Sequence, residues 1–285
     1  MSWFTFSILS LICYGVQNFL FKMSAERKYN TAWITFSFMG TVAITSSIFF
    51  LFFEKQIFNY KVLLLLGLLN SAAFLASTIF KIEGLKYIDT SILYPITRLK
   101  AAPVIFFSLI LFKDQLSLNQ FIGLIVSIII MVLLTSNNNK EKVEKNKYKK
   151  GILLALLALF FGVIGSFTSK FGAISTGIFS FMAVSYFFNS AFSLLLIKKL
   201  EKKDENLNTK GAVTTGLIIG VINFLAFYLF LKALAIGPLS IISSMVGLSF
   251  LITIILSVFI YKEKITSRRI MGIILAAAAV ILMRG

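Results

Sequence analysis

The chain has 285 residues, 58% of them hydrophobic and only 14% charged, with a net charge of +17. Soluble domains carry about 25% charged residues, and no soluble core hides this much apolar surface, so the solvent around this chain is lipid. The single cysteine, Cys13, and the complete lack of histidine exclude an internal disulfide and remove the commonest metal ligand and general base. The basic residues sit in short gaps between apolar runs rather than on a polar domain, which excludes nucleic acid as a partner.

A membrane-spanning helix needs about 20 mostly apolar residues. Ten stretches meet that need: roughly 3–22, 31–53, 62–80, 88–112, 119–135, 151–169, 177–197, 211–231, 239–261 and 268–283. The first has no basic segment before it and no small-residue cleavage site after it, and reads as a retained span. Short loops predict antiparallel neighbours. The longest polar stretches, 136–150 and 198–210, read as solvated linkers. The expected fold is an all-α, multi-pass membrane protein of the cell membrane.

The second half of the sequence repeats the first. Residues 62–134 lie on 211–283 at a constant shift of 149, without a gap. Gly67 falls on Gly216, Ser91 on Ser240, Lys113-Asp114 on Lys262-Glu263, and Gly123 on Gly272. The first helices match too, Asn18 to Ala25 on Ser166 to Ala173, at a shift of 148. The expected organisation is therefore a first five-helix copy over 1–135, a linker over 136–150, and a second copy over 151–285. Five is odd, so the copies cross the membrane in opposite senses, an inverted repeat from which alternating access follows. Gly67 and Ser71, with their mates Gly216 and Gly220, are small residues four apart that allow close helix approach.

The run from Tyr14 to Lys22 and the turn Leu111-Phe112-Lys113-Asp114 followed by Gly123, echoed by Ile260-Tyr261-Lys262-Glu263 and Gly272, resemble the EamA branch of the drug/metabolite transporter superfamily. The resemblance covers the whole chain. It implies ten helices in two inverted repeats, with the first, third, fourth, sixth, eighth and ninth around the transport path. It also implies cytoplasmic termini. Lysine and arginine say the reverse. They concentrate after odd-numbered spans, leaving only Lys55, Lys61, Lys113, Lys170, Lys232 and Arg284 at the termini and after even-numbered spans. By the positive-inside rule both termini are outside, and orientation stays open. The first helix also resembles that of the small multidrug exporters, which carry a glutamate about two turns before a matching lysine. Here that place is Tyr14 in one copy and Gly162 in the other, so the carboxylate that binds cationic drugs is missing from both.

Ionisable residues deep in a span are costly and mark function by default. Arg98 and Lys100 fall near the middle of the fourth span. On an unbroken helix they point roughly 200° apart, so only one faces a central path. Arg98 is favoured because Ser91, Tyr94 and Ala101 share its face, and its planar fork suits carboxylate or phosphate. A structural lock on a helix-end carbonyl is the competing role. Pro95 and Pro103 bracket this stretch and are expected to kink it. The mate stretch is uncharged and offers Ser240, Ser243, Ser244 and Gly247. Tyr14, Gln17 and Asn18 line one face of the first helix, and Asn70, Asn189 and Asn223 are the other buried amides. Interhelical hydrogen bonding explains each of them equally well. The candidate substrate-binding set is thus Arg98, Tyr94, Lys100, Tyr14, Gln17, Asn18, Asn70, Asn223 and Ser244.

No intramembrane acid offers a proton relay, no phosphate loop is present to use ATP, and no cofactor or metal is expected. The reading is a carrier for small organic metabolites, including amino acids or other carboxylate-bearing solutes, acting as a monomer in the lipid bilayer. The alternative is an exporter of hydrophobic or cationic compounds. An intramembrane enzyme has little to work with here.

Overall fold

The computed structural model describes residues 1–27, 29–56, 59–84, 87, 88, 93, 96–135, 145–200, 209–262 and 266–285. Among these the regular structure is helical, as lipid demands of a backbone with no water to bond. In chain order the helices are α1 (Trp3–Glu26), α2 (Thr31–Phe49), α3 (Tyr60–Gly84), α4 (Ala101–Leu111), α5 (Leu118–Thr135), α6 (Lys145–Ser175), α7 (Ile178–Leu200), α8 (Thr209–Ile236), α9 (Leu239–Gly247), α10 (Phe250–Tyr261) and α11 (Ser267–Arg284). The last turn of α2 widens into a π-helix, Phe50–Glu54. Six helical stretches among the described residues are long and apolar enough to cross a membrane.

Several helices outrun the apolar stretches that announced them. The sixth was expected over 151–169 and runs from Lys145 to Ser175. Its basic first turn was assigned to the linker, and Lys170 to a loop. Lys170 instead lies inside α6 and is buried. Hydropathy stops at the first polar residues, whereas backbone hydrogen bonding continues to the helix cap.

The chain forms two compact units, and each draws on both sequence copies. The first holds α1, α2, residues 60–72 of α3, residues 168–175 of α6, α7, α8 and α10. Within it α1 packs on α8 and α10, and α2 on α7 and α8. Small residues make these approaches close. A Cβ on Gly67 would lie 2.6 Å from Val184 Cγ1 and 3.6 Å from the Ser185 nitrogen; one on Gly216 would lie 2.6 Å from Ser37 Cβ and 2.8 Å from the Ile34 carbonyl. One turn on, Ser71 Oγ donates to Asn189 Oδ1 at 3.1 Å, while a Cβ on Gly220 would meet Thr41 Cβ at 2.5 Å. Gly67 and Ser71 meet Ser185 and Asn189 on α7; their mates Gly216 and Gly220 meet Ser37 and Thr41 on α2. The third helix of each copy therefore packs on the second helix of the other, through matching positions.

The second unit holds residues 73–84 of α3, α4, α5, residues 145–167 of α6, α9 and α11. Here α5 packs on α11, and α9 on α4 and α5. A Cβ on Gly123 would lie 3.0 Å from the Ala279 carbonyl, so this glycine sets the α5–α11 approach.

Both the fourth and the ninth spans break. Residues 96–98 are helical, Leu99 and Lys100 form a turn, and α4 follows. The turn is closed by Leu99 N–H to the Ile96 carbonyl (3.2 Å) and Ala102 N–H to the Leu99 carbonyl (3.0 Å). In the second copy α9 ends at Gly247, Leu248 and Ser249 form the turn, and α10 begins at Phe250. Its bonds are Leu248 N–H to the Met245 carbonyl (3.0 Å) and Ile252 N–H to the Ser249 carbonyl (3.1 Å). The two breaks coincide under the 149-residue shift. Both spans also end alike: Lys113 and Lys262 each adopt a left-handed φ of 52°, a helix stop usually taken by glycine.

Two acidic residues at span edges, Glu54 and Asp114, act as helix caps. The Glu54 carboxylate accepts from Phe179 N–H (2.8 Å) and Ser180 N–H (3.0 Å) at the start of α7. Asp114 Oδ2 accepts from Ser240 N–H (3.2 Å) and Ser240 Oγ (2.8 Å) at the start of α9. Each places negative charge on unsatisfied N–H groups and the positive end of a helix dipole.

Candidate functional site

In the first unit the amides expected on α1 and α8 meet. Asn223 Nδ2 donates to Gln17 Oε1 at 2.9 Å, and Tyr186 Oη donates to Asn223 Oδ1 at 2.6 Å. All three residues are buried. The network ties α1, α7 and α8 together where each unpaired group in lipid would cost several kcal/mol. Tyr14 lies one turn before Gln17 and meets Phe230 edge-on at 6.4 Å. Asn18, exposed on the neighbouring face, donates to Ser249 Oγ at 3.3 Å, at the break in the ninth span. Beside it the Gly15 carbonyl accepts from Thr253 Oγ1 at 3.0 Å. Glycine is required at position 15, where a Cβ would lie 2.8 Å from the Ser249 carbonyl.

Asn70 stands apart from this network. Its Nδ2 donates to Thr168 Oγ1 (2.9 Å) and Ser169 Oγ (3.0 Å), joining α3 to the end of α6. The first-helix lysines are anchored in the same unit. Lys22 Nζ donates to Ser257 Oγ at 3.0 Å and lies 5.4 Å from the Tyr261 ring centroid. Lys170 Nζ donates to the Leu234 carbonyl at 2.5 Å, in the last turn of α8, where the helix dipole favours a cation.

The second unit carries the charged candidates. Arg98 and Lys100 are both half-buried. The expectation that one of them must point away rested on an unbroken helix. The turn at Leu99 and Lys100 is closed by hydrogen bonds three residues apart, and Lys100 stays right-handed (φ −52°, ψ −24°), so at about three residues per turn Arg98 and Lys100 still leave the backbone in different directions. The Lys100 stem runs across α6: a Cβ on Gly162 would lie 3.2 Å from Lys100 Cδ and 3.5 Å from Ser77 Oγ. Ser77 Oγ donates to the Ala158 carbonyl at 2.8 Å. Gly162 is the second-copy place at which the exporter resemblance locates a carboxylate; here a lysine stem crosses it. Ser244 is fully buried and its Oγ donates to the Ser240 carbonyl of its own helix at 2.9 Å. Tyr94 and Pro95, with Ser91, lie outside the described residues.

Two participants were not singled out from sequence. Tyr186 is one of 9 tyrosines in a phenylalanine-rich span, and nothing local marks its hydroxyl as partnered. Lys81 fell just beyond the expected end of the third span at residue 80. Because α3 continues to Gly84, Lys81 is instead one turn beyond Ser77 on the same helix, within electrostatic reach of Lys100 and Arg98. The continuation of the helical pattern to Gly84 was the signal available for it.

The family model described as the EamA-like transporter family matches residues 1–136 and, again, residues 149–285. No curated protein matches the chain. A solved structure described only as "Crystal structure of protein" superposes with a TM-score of 0.76 at 13% sequence identity, over 98% of this chain and 95% of that one. At that identity the likeness shows the fold.

Proposed function

The chain belongs to the EamA-like transporter family, and from that premise we propose that it is a carrier for small organic metabolites bearing a carboxylate or similar anionic group, amino acids among them, moved across the cell membrane by a monomer. Alternating access between inverted five-helix repeats is the mechanism. Its support is the exchange of matching contacts between copies, Gly67 and Ser71 on α7 against Gly216 and Gly220 on α2. Two equivalent arrangements of such halves give two equivalent states, open to opposite sides.

The observation that carries the substrate class is the placement of Arg98 and Lys100 at a helix break inside the fourth span. An intramembrane cation costs roughly 2.5–3.5 kcal/mol even on permissive scales, and an anion offsets that cost. The guanidinium fork takes a carboxylate in bidentate fashion. The Lys100 stem across Gly162 weighs against the competing reading, export of cationic compounds, because it puts positive charge where a drug-binding carboxylate would be needed.

The test is uptake of labelled anionic amino acids into proteoliposomes. Arg98→Ala is expected to lower uptake at least about tenfold, the scale of removing one partner from a desolvated charge pair. Undiminished uptake by a folded Arg98→Ala protein overturns the assignment. Resistance to cationic dyes in cells, unchanged by Arg98→Ala, favours the exporter instead.

A further inference from the structure

The buried amides of the first unit form a hydrogen-bond chain with a direction and an unused end. Tyr186 Oη stands 2.6 Å from Asn223 Oδ1, and Asn223 Nδ2 stands 2.9 Å from Gln17 Oε1. The two lengths fix the direction. A 2.6 Å contact suits O–H···O and is too short for N–H···O, whose ordinary length is the 2.9 Å of the second bond. The Tyr186 hydroxyl therefore donates, Asn223 passes the polarity on, and Gln17 accepts with its carbonyl. What is left over is the Gln17 Nε2 group, which can only donate. It has no partner among the described residues, although Gln17 is just 6% exposed. The hydroxyl of half-buried Tyr14, one turn back on the same face of α1, has no hydrogen-bond partner among them either. Helix packing alone does not call for such a free end. Ser10 joins the same two helices, α1 and α8, by donating to the Ala226 carbonyl at 2.9 Å, a bond complete in itself.

Aromatic rings run beside the chain. Tyr14 meets Phe230 edge-on at 6.4 Å, Phe230 stacks on Phe227 at 6.3 Å, and Phe227 meets Tyr186 at 5.6 Å. Asn223, Phe227 and Phe230 follow one face of α8 at intervals of four and three residues. All six residues belong to the first unit. We infer that they form a subsite for an uncharged hydrogen-bond acceptor borne on a flat apolar group, of the aryl carboxamide or aryl ketone kind. Gln17 Nε2 and the Tyr14 hydroxyl are the donors that touch it. Tyr186 and Asn223 are positioning residues, which hold the Gln17 amide with its donor free. This rests on the carrier reading and adds a second recognised group to its substrate. Both donors are neutral, so a carboxylate here would be buried without a counter-charge, whereas an uncharged oxygen loses less on leaving water. A donor-only cation is refused, because Gln17 held this way offers it no acceptor.

The experiment uses the purified full chain in non-ionic detergent at neutral pH. Its probes are benzamide, a ring with a carbonyl acceptor, and benzylamine, the same ring with a donor-only ammonium. Ligands that bind the folded state raise Tm. Benzamide is expected to raise it by about 2 °C near saturation, and benzylamine and ring-free acetamide by far less. Gln17→Met removes the free donor at similar volume, and Tyr14→Phe removes the second donor while leaving the chain intact. Each is expected to lose most of the benzamide rise. Tyr186→Phe keeps its ring and removes the proton that directs Asn223, so the Gln17 amide can present either end and the benzamide and benzylamine shifts draw together. A merely structural role for Tyr186 lowers the ligand-free Tm and leaves that preference unchanged, which overturns its positioning role. Equal benzamide and benzylamine shifts in the wild type overturn the inference, as does a benzamide rise retained in either Gln17→Met or Tyr14→Phe. Uptake into proteoliposomes separates the two readings. Uptake of anionic amino acids by a protein that does not tell benzamide from benzylamine sinks the subsite and leaves the carrier. Discrimination by a protein that takes up no solute does the opposite.

Discussion

The fourth and ninth spans hold equivalent places in the two copies, and they differ in nearly everything except geometry. The fourth has Pro95 and Pro103 around its break; the ninth has no proline within α9 or α10. Yet the turns fall on the same register, Leu99-Lys100 and Leu248-Ser249. Proline is therefore not what sets the break. Pro103 sits in the first turn of α4, where a missing N–H costs little. Its mate Ile252 uses its own N–H to close the turn on Ser249. The break belongs to the shared architecture, and the cations are what one copy adds to it: Arg98 stands where the other has Gly247, and Lys100 where it has Ser249. Scaffold is read from what the copies share, and the proposed recognition rests on what they do not.

Substitutions at three kinds of position sharpen that comparison, two of them made at both mates. The largest expected effect is at the packing glycines. Gly216→Ala puts a Cβ 2.8 Å from the backbone carbonyl of Ile34, which cannot rotate away, whereas Gly67→Ala meets mainly the Val184 side chain. Overpacking costs about 1–3 kcal/mol, and alanine regains about 1 kcal/mol of helix propensity. Gly216→Ala is expected to destabilise by about 2 kcal/mol and Gly67→Ala to be close to neutral, measured by thermal unfolding in detergent. Equal losses at both sites break the ranking of rigid backbone over movable side chain. Next, Asp114→Ala removes the carboxylate from the start of α9 and costs about 1 kcal/mol, the usual value of a helix cap. No loss of stability there discards the capping role. The smallest effect concerns the span ends. Lys113→Gly and Lys262→Gly each relieve about 1 kcal/mol of left-handed strain less the unfolded-state entropy of glycine, for a gain of about 0.5 kcal/mol. The two gains should match, and a loss at either site contradicts the φ of 52° there.

Much of this was legible because it is written in local periodicity. Apolar length located the helices, and the constant shift paired Lys113 with Lys262 and Gly67 with Gly216. The polar candidates were legible as residue types and not as partnerships. Gln17 and Asn223 are 206 positions apart, and their bond runs through helix packing that no spacing encodes. Tyr186 entered the same network unannounced, as its hydroxyl gains meaning only when α7 and α8 bring it to Asn223. Lys170 was misplaced for a related reason. A lysine at the end of an apolar run reads as the start of a loop unless a carbonyl such as that of Leu234 is there to receive it.

The sequence by itself determined that the chain lives in lipid, that it is helical, that it is duplicated, and that the fourth span carries cations where its mate, the ninth, has none. Composition, length and periodicity are properties of the chain, and lipid leaves the backbone few alternatives to helix. Only the tertiary structure decided where those cations lie. It broke the fourth span between Arg98 and Lys100, carried α3 far enough to bring Lys81 into their field, and laid the Lys100 stem over Gly162. Electrostatic interaction depends on distance through space, and distances between helices are settled by packing, which no single helix records in its own sequence.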